Sequence, residues 1–321
     1  MYYFLTQVSQ ATVYGLLNIF TVTSLKKPTL NDLNNSNNFL RLQNFADKES
    51  ELLQSKSRIF FLQTSENPHV LSRHACSIES AARLHPNSSI YVLMQSEYVD
   101  LNKGSYRHLQ TYQNIHFLHF NEQSIYSGTS LTNLLKSKPK QILQYMSISH
   151  LSDTLRTALL YKYGGIYFDL DVIPIRNFDN LTNTVGLETF DGVNVAVLAF
   201  ERQHIVFDLQ MDIQLKSIEN QFEAFCWNCL GPLALTQALK NICDYQQLHI
   251  HKRDRCHRIN IQPSYVFYPI SYQVKTNFLR FYRTKKNASF RKFLNYFVAH
   301  RRMSMIFYRI RVSIRFTIFI I

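Results

Sequence analysis

Two aspartates lie two residues apart at the end of an apolar run in the middle of the chain, residues 161–175, YKYGGIYFDLDVIPI. An unpaired carboxylate in an apolar setting loses hydration, and its pKa rises. A divalent cation removes that cost, and Mg²⁺ and Mn²⁺ both accept carboxylate oxygens as ligands. Asp169 and Asp171 therefore predict a metal site whose remaining coordination positions suit the oxygens of a diphosphate.

The spacing of the two aspartates predicts that they share one face of a strand. Side chains alternate along a strand, which places Tyr167 on the face of both carboxylates and turns Phe168 and Val172 towards the core. The rise per residue would separate the Cα atoms of Asp169 and Asp171 by ~6–7 Å. The alternative is a strand that ends earlier, with both aspartates as loop residues, because a bare D-x-D pattern is common by chance.

A helix is predicted immediately before this strand, in the sequence SDTLRTALLYKYGG. Ser152 is a candidate N-cap, and Asp153 then lies in the first turn, where a negative charge is favoured. Arg156 follows three residues later on the same side of the helix, so it can pair with Asp153. Gly164 and Gly165 are predicted to end the helix in a left-handed turn. On local sequence alone, Asp153 and Arg156 resemble a helix cap and a surface ion pair.

The elements around this constellation predict the fold class. Short apolar runs read as buried strands: RIFFLQTS from Arg58, SIYVLM at 89–94, IHFLHF at 115–120 and NVAVLAF at 194–200. Helical patterns lie between or after them: CSIESAARLHP, the stretch with Leu151, Leu155 and Leu159 at a spacing of four, and LGPLALTQALKNIC. This alternation predicts an α/β fold with a mostly parallel central sheet flanked by helices. Ligands of such sheets bind outside the carboxyl ends of the strands.

The charge of the chain is unevenly distributed. Its net charge is +13, yet residues 1–257 contain 22 Lys and Arg against all 22 Asp and Glu. The other 13 basic residues lie in residues 258–321, which hold no acidic residue. A neutral body with a basic, apolar tail fits a membrane surface at least as well as a phosphate backbone. The charge therefore gives little support to nucleic-acid binding, and a solvated tail without a partner is the remaining interpretation.

The five cysteines are open to two interpretations. They are Cys76, Cys226, Cys229, Cys243 and Cys256. The pair in CWNC can begin a zinc site completed by residues 243 and 256 or 257, although a second close pair is missing. Disulfides in a secretory protein, with one cysteine left free, are the favoured interpretation.

The ends of the chain are predicted to lie outside the catalytic fold. Residues 1–56 are expected to comprise a weak signal anchor and a polar stem, with an imperfect chain start as the equal alternative for the anchor. Residues 57–190 are predicted to bind the donor, residues 191–304 to form the acceptor-side part of the same domain, and residues 305–321 to form a basic, apolar tail.

The run SDTLRTALLYKYGGIYFDLDVIPI resembles the DXD-containing glycosyltransferases of the α1,4-galactosyltransferase and α1,4-N-acetylglucosaminyltransferase type. Further segments are similar to the same family, including CSIESAARLHPNSSIYVLM, NVAVLAFERQH, WNCLGPLALTQAL and FYPISYQ. The resemblance covers roughly residues 57–304. The matching residues of the central run are Ser152, Asp153, Arg156, Leu160, Tyr161, Gly164, Gly165, Tyr167, Asp169 and Asp171.

This resemblance implies a GT-A-type fold and a type II Golgi membrane protein with a lumenal catalytic domain. The implied reaction is a metal-dependent, retaining transfer of galactose or an N-acetylhexosamine from a UDP-sugar to a glycolipid or glycan in α1,4 linkage. Asp171 would be the more direct ligand of Mn²⁺, with Mg²⁺ as the alternative, and Asp169 would bridge to the ribose or the metal. The implied donor-side residues are Asp153, Arg156, Gly164, Gly165 and Tyr167.

The acceptor side departs from the family pattern. The implied acceptor-side residues are Asn194, Gly231 and His300. Cys229-Leu230 precede Gly231 where the family has a His-Gln or similar pair, and two arginines follow His300 where the family has Trp-Asn. These departures raise a second hypothesis, a catalytically inactive relative that binds glycan or membrane.

Overall fold

The structure of the chain, a computed structural model, describes residues 38–102, 104–134, 146–220, 226–243, 256–268 and 319–320. His300 lies outside these residues. The strands are β1 (Phe39–Arg41), β2 (Gln43–Asn44), β3 (Arg58–Gln63), β4 (Ser89–Met94), β5 (Tyr98–Asp100), β6 (Ile115–His119), β7 (Gly165–Phe168), β8 (Val172–Ile173), β9 (Thr184–Leu187), β10 (Val193–Phe200), β11 (Asn260–Gln262) and β12 (Phe319–Ile320).

The α-helices are α1 (Glu49–Gln54), α2 (Ser72–Leu84), α3 (Tyr106–Leu109), α4 (Glu122–Tyr126), α5 (Ile148–Tyr163), α6 (Ile205–Asn220), α7 (Ala234–Cys243) and α8 (Ser264–Phe267). Two short 3₁₀ segments, Phe45–Lys48 and Ser130–Asn133, and a π-helical turn, Cys229–Leu233, complete the described helical structure.

One eight-stranded sheet organises the fold, in the order β11-β9-β10-β7-β3-β4-β6-β2. Strands β7, β3, β4, β6 and β2 run parallel to one another, and β10 is antiparallel to both β7 and β9. The predicted α/β architecture, with a mostly parallel central sheet flanked by helices, is confirmed. The sheet takes strands from both sides of residue 190, so the predicted donor and acceptor parts share it.

The sheet separates two apolar cores, and the central strands alternate between them. In β3, Phe60 and Leu62 pack with α5, α6 and α7 on one side, whereas Ile59 and Phe61 pack with α2 on the other. Such strands are buried on both faces, which explains why their sequences are continuous apolar runs. Within the described residues, no helix combines the length and the apolar composition that a membrane span requires.

The predicted stem extends too far along the chain. From Phe39 the segment belongs to the fold, because β2 pairs with β6 and the side chains of Phe45 and Leu52 are fully buried. The apolar residues of this short stretch are spaced too irregularly to indicate an element on their own.

The predicted N-cap of α5, Ser152, is also wrong. Its N-cap is Ser147, whose Oγ accepts a hydrogen bond from the N–H of His150, while Nδ1 of His150 accepts one from the N–H of Ser147. This is a capping box in which histidine takes the place of the usual Glu or Gln. Ser152 and Asp153 therefore lie inside the helix, beyond its first turn, and Asp153 is not stabilised by the helix amino terminus. Leu155 and Leu159 are fully buried as predicted, and Leu151 is half-buried.

The cysteines form two disulfides, Cys226–Cys229 and Cys243–Cys256, and Cys76 is a free thiol. The disulfide interpretation of the sequence is therefore confirmed. The first disulfide ends at the first residue of the π-helical turn, and the second joins the end of α7 to the segment before β11. The predicted helix LGPLALTQALKNIC begins only at Ala234, because Pro232 has no N–H to donate and the chain forms the wider turn there.

Candidate active site

The candidate site lies at the carboxyl end of β7. Asp169 directly follows Phe168, the last residue of that strand, and its N–H donates to the carbonyl of Ala196 in β10 (2.9 Å). Helix α5 leads into β7 and runs back along the sheet, so its amino-terminal half lies beside this same edge. The edge is the one at which parallel α/β sheets bind ligands.

The guanidinium of Arg156, on α5, is the centre of the site. It is almost fully buried and lies 3.0 Å from Oδ1 of both Asp153 and Asp169. It also donates to the carbonyl of Val195 (3.0 Å) and stacks over the ring of Tyr167 (4.9 Å to the centroid). Burial alone would lower the pKa of Arg156, but the two carboxylates and Tyr167 raise it. Arg156 therefore stays charged and holds Asp153 and Asp169 together.

The carboxylate of Asp169 is fixed on one side and accessible on the other. Oδ1 accepts hydrogen bonds from Nη1 of Arg156 (3.0 Å) and from the hydroxyl of Tyr167 (2.7 Å). The side chain keeps 30% of its surface exposed. The hydrogen bonds that it accepts from the described residues use Oδ1, so Oδ2 remains available to a ligand.

Asp153 is the more deeply buried carboxylate. Its pKa is raised to about 7, mainly by burial. Asp169 contributes to the rise, and Arg156 opposes it. Gly231 lies directly against it: a Cβ at that glycine would be 2.5 Å from Oδ1 of Asp153. The predicted pair of Asp153 and Arg156 is therefore real, but it is a buried part of the site and not a surface ion pair.

Asp171 lies in a turn and not on the strand. β7 ends at Phe168, and the N–H of Val172 closes the turn on the carbonyl of Asp169 (3.0 Å). The predicted alternation of side chains therefore holds for Tyr167 and Asp169, which touch, but does not extend to Asp171, which is half-buried. Ser77 on α2 donates a hydrogen bond to the carbonyl of Val172 and so anchors the residue that follows the DXD turn.

Two glutamines that the sequence analysis missed fasten the turn opposite Asp153. Nε2 of Gln214 donates to the carbonyl of Leu230 (2.6 Å) and to Oγ1 of Thr157 (3.1 Å). Gln210, one turn earlier on α6, reaches the carbonyl of Gly231 (3.5 Å). Both lie on the buried face of α6, which is otherwise apolar. A polar side chain at a position where the helical pattern predicts an apolar one is the sequence signal that could have identified them.

A bulge in β10 supplies the backbone part of the site. Asn194 pairs with Gly186 and Leu198 with Val185, so the residues between them on β10 have no counterpart on β9. This irregularity allows the carbonyl of Val195 to accept from Arg156. Asn194 supports it, because Oδ1 accepts from the N–H of Ala196 (2.8 Å) and Nδ2 donates to Glu188 (2.8 Å). Asn194, predicted on the acceptor side, thus borders the Arg156 cluster.

Gly164 and Gly165 lie at the opposite end of β7, so the structure does not bring them together with Asp169. Both have positive φ, +62° and +105°, and end α5 as predicted. A Cβ at Gly164 would meet the backbone N of Arg202 at 2.5 Å, and one at Gly165 would meet the carbonyl O of Arg58 at 2.6 Å. Their glycine character is thus explained by backbone geometry, and a role in donor binding stays a prediction.

The residues at the carboxyl edge fit a divalent cation that is completed by substrate. Among the described residues, no group of three or more His, Cys, Asp or Glu side chains could form a protein-only metal cage. Mg²⁺, however, is usually held in proteins by one or two carboxylates plus substrate phosphates and water. Asp169, whose side chain is 30% exposed, and Asp171, two residues later at the same turn, offer that donor set.

Two family comparisons agree with this site. The family described as "Glycosyltransferase sugar-binding region containing DXD motif" matches residues 72–188, and the family described as "Alpha 1,4-glycosyltransferase conserved region" matches residues 199–310. The chain belongs to the DXD-containing α1,4-glycosyltransferase family. The predicted resemblance is thus confirmed, and the first match contains Asp153, Arg156, Asp169 and Asp171.

Individual relatives are similar over the same region. Lactosylceramide 4-alpha-galactosyltransferase of Mus musculus is 34% identical over 226 residues, which is 69% of this chain and 61% of that protein. The Homo sapiens protein of that name is 34% identical over 67% of this chain and 60% of its own length. Alpha-1,4-N-acetylglucosaminyltransferase of Homo sapiens is 28% identical over 69% and 65%. The chain therefore spans about three fifths of the length of the lactosylceramide 4-alpha-galactosyltransferases it matches.

Proposed function

We propose that the chain is a metal-dependent, retaining glycosyltransferase. It would move galactose or an N-acetylhexosamine from a UDP-sugar to a glycolipid or glycan acceptor in α1,4 linkage. The single observation that carries the proposal is the buried network of Asp153, Arg156 and Asp169 beside the DXD turn. Buried charges are costly, and strongly perturbed pairs of this kind concentrate at functional sites.

The chain's own residues would act mainly by positioning. Arg156 and Tyr167 both bind Oδ1 of Asp169, so the carboxylate is oriented before any ligand arrives and the other oxygen faces no competing bond from them. Such preorganisation lowers the cost of binding at the moment of reaction. Asp169 and Asp171 would hold Mn²⁺ or Mg²⁺, which when bound supplies Lewis-acid stabilisation of the departing UDP.

The setting of the enzyme is part of the same proposal. Family membership and the two disulfides support an oxidising compartment, and we place the catalytic domain in the Golgi lumen as a type II membrane protein. The basic tail after residue 257 supports contact with a membrane surface and not with nucleic acid. The printed names of the relatives support lactosylceramide or a related galactose-terminated glycan as the acceptor to test first.

The decisive experiment measures donor chemistry without an acceptor. Purified chain is incubated with UDP-galactose, UDP-N-acetylgalactosamine or UDP-N-acetylglucosamine, with and without Mn²⁺, and release of UDP is followed. Asp171→Asn should lower metal-dependent hydrolysis and transfer at least 100-fold with an unchanged unfolding midpoint. Asp179→Asn, at an exposed aspartate near Gly164, is the matched control and should retain wild-type rates.

The same assay decides between the enzyme and the inactive relative. Hydrolysis that depends on Mn²⁺ and on Asp171 supports the enzyme even if the acceptor is unknown. Absence of any UDP release from all three donors, in folded protein with Mn²⁺ present, would sink the proposal and leave glycan or membrane binding as the function.

A further inference from the structure

A solvent-exposed indole lies on the loop that borders the active site. Trp227 keeps 60% of its surface exposed, and it is the only tryptophan in the chain. Isolated exposed apolar side chains are common, so exposure alone carries no meaning. Two further exposed apolar side chains lie on neighbouring elements, Leu233 (49% exposed) at the end of the π-helical turn and Ile148 (61%) at the start of α5.

The backbone that carries the indole is fixed from several directions. The Cys226–Cys229 disulfide closes a four-residue ring around Trp227, and the N–H of Cys229 donates to the carbonyl of Cys226 (3.3 Å). Nδ1 of His150 accepts from Ser147, so Nε2 carries the proton and donates to the carbonyl of Cys226 (2.9 Å). Because this backbone is already fixed, a ligand that covers the ring does not have to order the loop.

The segment from Cys226 to Gly231 adjoins the candidate active site. On one side, His150 precedes Asp153 by less than one turn of α5 and binds Cys226. On the other side, Gly231 lies against the carboxylate of Asp153. The main chain that carries the indole is therefore linked to α5, the helix that holds Asp153 and Arg156.

We propose that Trp227 is the platform on which the acceptor's terminal galactopyranose stacks. This inference rests on the proposed function and adds to it a residue that positions the acceptor. Galactopyranose carries the C–H groups of C3, C4 and C5 on one face, and these bind well against the electron-rich face of an indole. The axial O4 projects from the opposite face. Stacking therefore leaves free the hydroxyl that an α1,4 transfer would use.

The first test uses the fluorescence of the wild-type chain. Because the chain has a single tryptophan, its emission reports on Trp227 alone. Methyl β-lactoside should produce a saturable change in emission, and methyl β-cellobioside, which differs in the configuration at C4 of the terminal ring, should bind at least tenfold more weakly. No response to the lactoside, or an equal response to both sugars, would overturn the stacking proposal.

The second test replaces the ring. Trp227→Phe keeps an aromatic face, Trp227→Leu keeps apolar character without one, and Trp227→Ala keeps neither. In each variant, transfer to methyl β-lactoside is divided by hydrolysis of UDP-galactose, which needs no acceptor. We expect this ratio to fall less than threefold for the phenylalanine variant and at least tenfold for the other two, through a higher KM for the lactoside.

These outcomes separate the two proposals. Absence of UDP-galactose hydrolysis in the wild-type protein would count against the glycosyltransferase activity itself. Intact hydrolysis, with a transfer-to-hydrolysis ratio in all three variants equal to that of the wild type, would count only against the role of Trp227. If vesicles of phosphatidylcholine without glycolipid shift the emission and the lactoside does not, the indole contacts membrane and the sugar platform is wrong. Unfolding midpoints of the variants are measured beside each assay.

Discussion

The two ends of β7 carry similar side chains in opposite surroundings. At the carboxyl end, Arg156 is buried between two carboxylates beside Tyr167. At the amino end, Arg202 and Glu201 are exposed near Tyr163, around an open cavity of about 330 Å³. This cavity thus lies away from the candidate chemistry. Burial of charged side chains is a better indicator of function than empty space, because it is costly and persists only where something else requires it.

The largest expected difference between the two ends concerns their arginines. Arg156→Met leaves the buried Asp153 and the partly exposed Asp169 without their cation and should lower the free energy of unfolding by about 3–5 kcal/mol. Arg202→Met, at an exposed position, should change it by less than about 0.5 kcal/mol. Urea unfolding at pH 7 measures both. Equal losses of stability in the two variants would mean that Arg156 is not needed to neutralise the carboxylates beside it.

The second difference is a pH dependence centred on Asp153. Its pKa is raised to about 7 in the folded protein by burial, above the ~3.9 of an unfolded aspartate. Below about pH 4 both states are protonated and the folded state bears no cost. As pH rises towards and through 7, the unfolded chain releases its proton first, so stability is lost, by up to ~4 kcal/mol for this group.

Asp153→Asn removes that titration. Urea unfolding of the wild type and the variant, at several values between pH 4.5 and 8 without added divalent cation, should give diverging curves. The wild type should lose stability relative to the variant as pH rises. Parallel curves over this range would show that Asp153 stays ionised in the folded protein and that Arg156 alone neutralises it.

Two glycines, one near each end of β7, give the third contrast. Gly231→Ala places a methyl group against the carboxylate of Asp153 and should lower UDP-sugar hydrolysis at least tenfold. Gly164→Ala should instead lower stability by about 1–3 kcal/mol, because φ is positive and the methyl group meets the backbone of Arg202. Activity per folded molecule separates the effects. A comparable loss of activity in Gly164→Ala would support the donor-binding role that the family resemblance assigns to that glycine.

The smallest contrast compares two tyrosine hydroxyls. Tyr167→Phe removes the 2.7 Å hydrogen bond to Asp169 and should cost about 1 kcal/mol of stability with a three- to tenfold loss of hydrolysis. Tyr163→Phe removes a bond of the same length to Glu49 and should affect stability by a similar amount or less, without altering kcat. If both variants keep full activity, Asp169 does not need its second donor.

Much of the fold could be predicted from the sequence because its central strands are buried on both faces. SIYVLM corresponds to β4 residue for residue, the runs at β6 and β10 differ from the strands by one residue, and the run at β3 extends two residues beyond the strand. The predictions that were wrong concern features that depend on contacts between residues far apart in the sequence. Ser147 and Ser152 both carry a local capping signal, and the choice between them coincides with the bond from His150 to Cys226, which local sequence does not reveal.

The site was predictable in its residues but not in its arrangement. The sequence analysis identified Asp153, Arg156, Tyr167 and Asp169. Local sequence, however, predicted that Asp153 and Arg156 form a surface pair and that the strand continues to Asp171. The closeness of Gly231 to Asp153 and the turn at Asp171 arise from packing between separate elements.

The bulge in β10 has a consequence for how the site tolerates change. Arg156 is held there by the main-chain carbonyl of Val195, and a carbonyl is supplied by every amino acid. Replacing the side chain of Val195 should therefore leave its hydrogen bond to Arg156 nearly unchanged. Deleting or inserting one residue between Asn194 and Leu198, in contrast, would move the carbonyl and shift the pairing of β10 with β9. This constraint predicts that homologous sequences vary in composition over these residues but keep the same number of them.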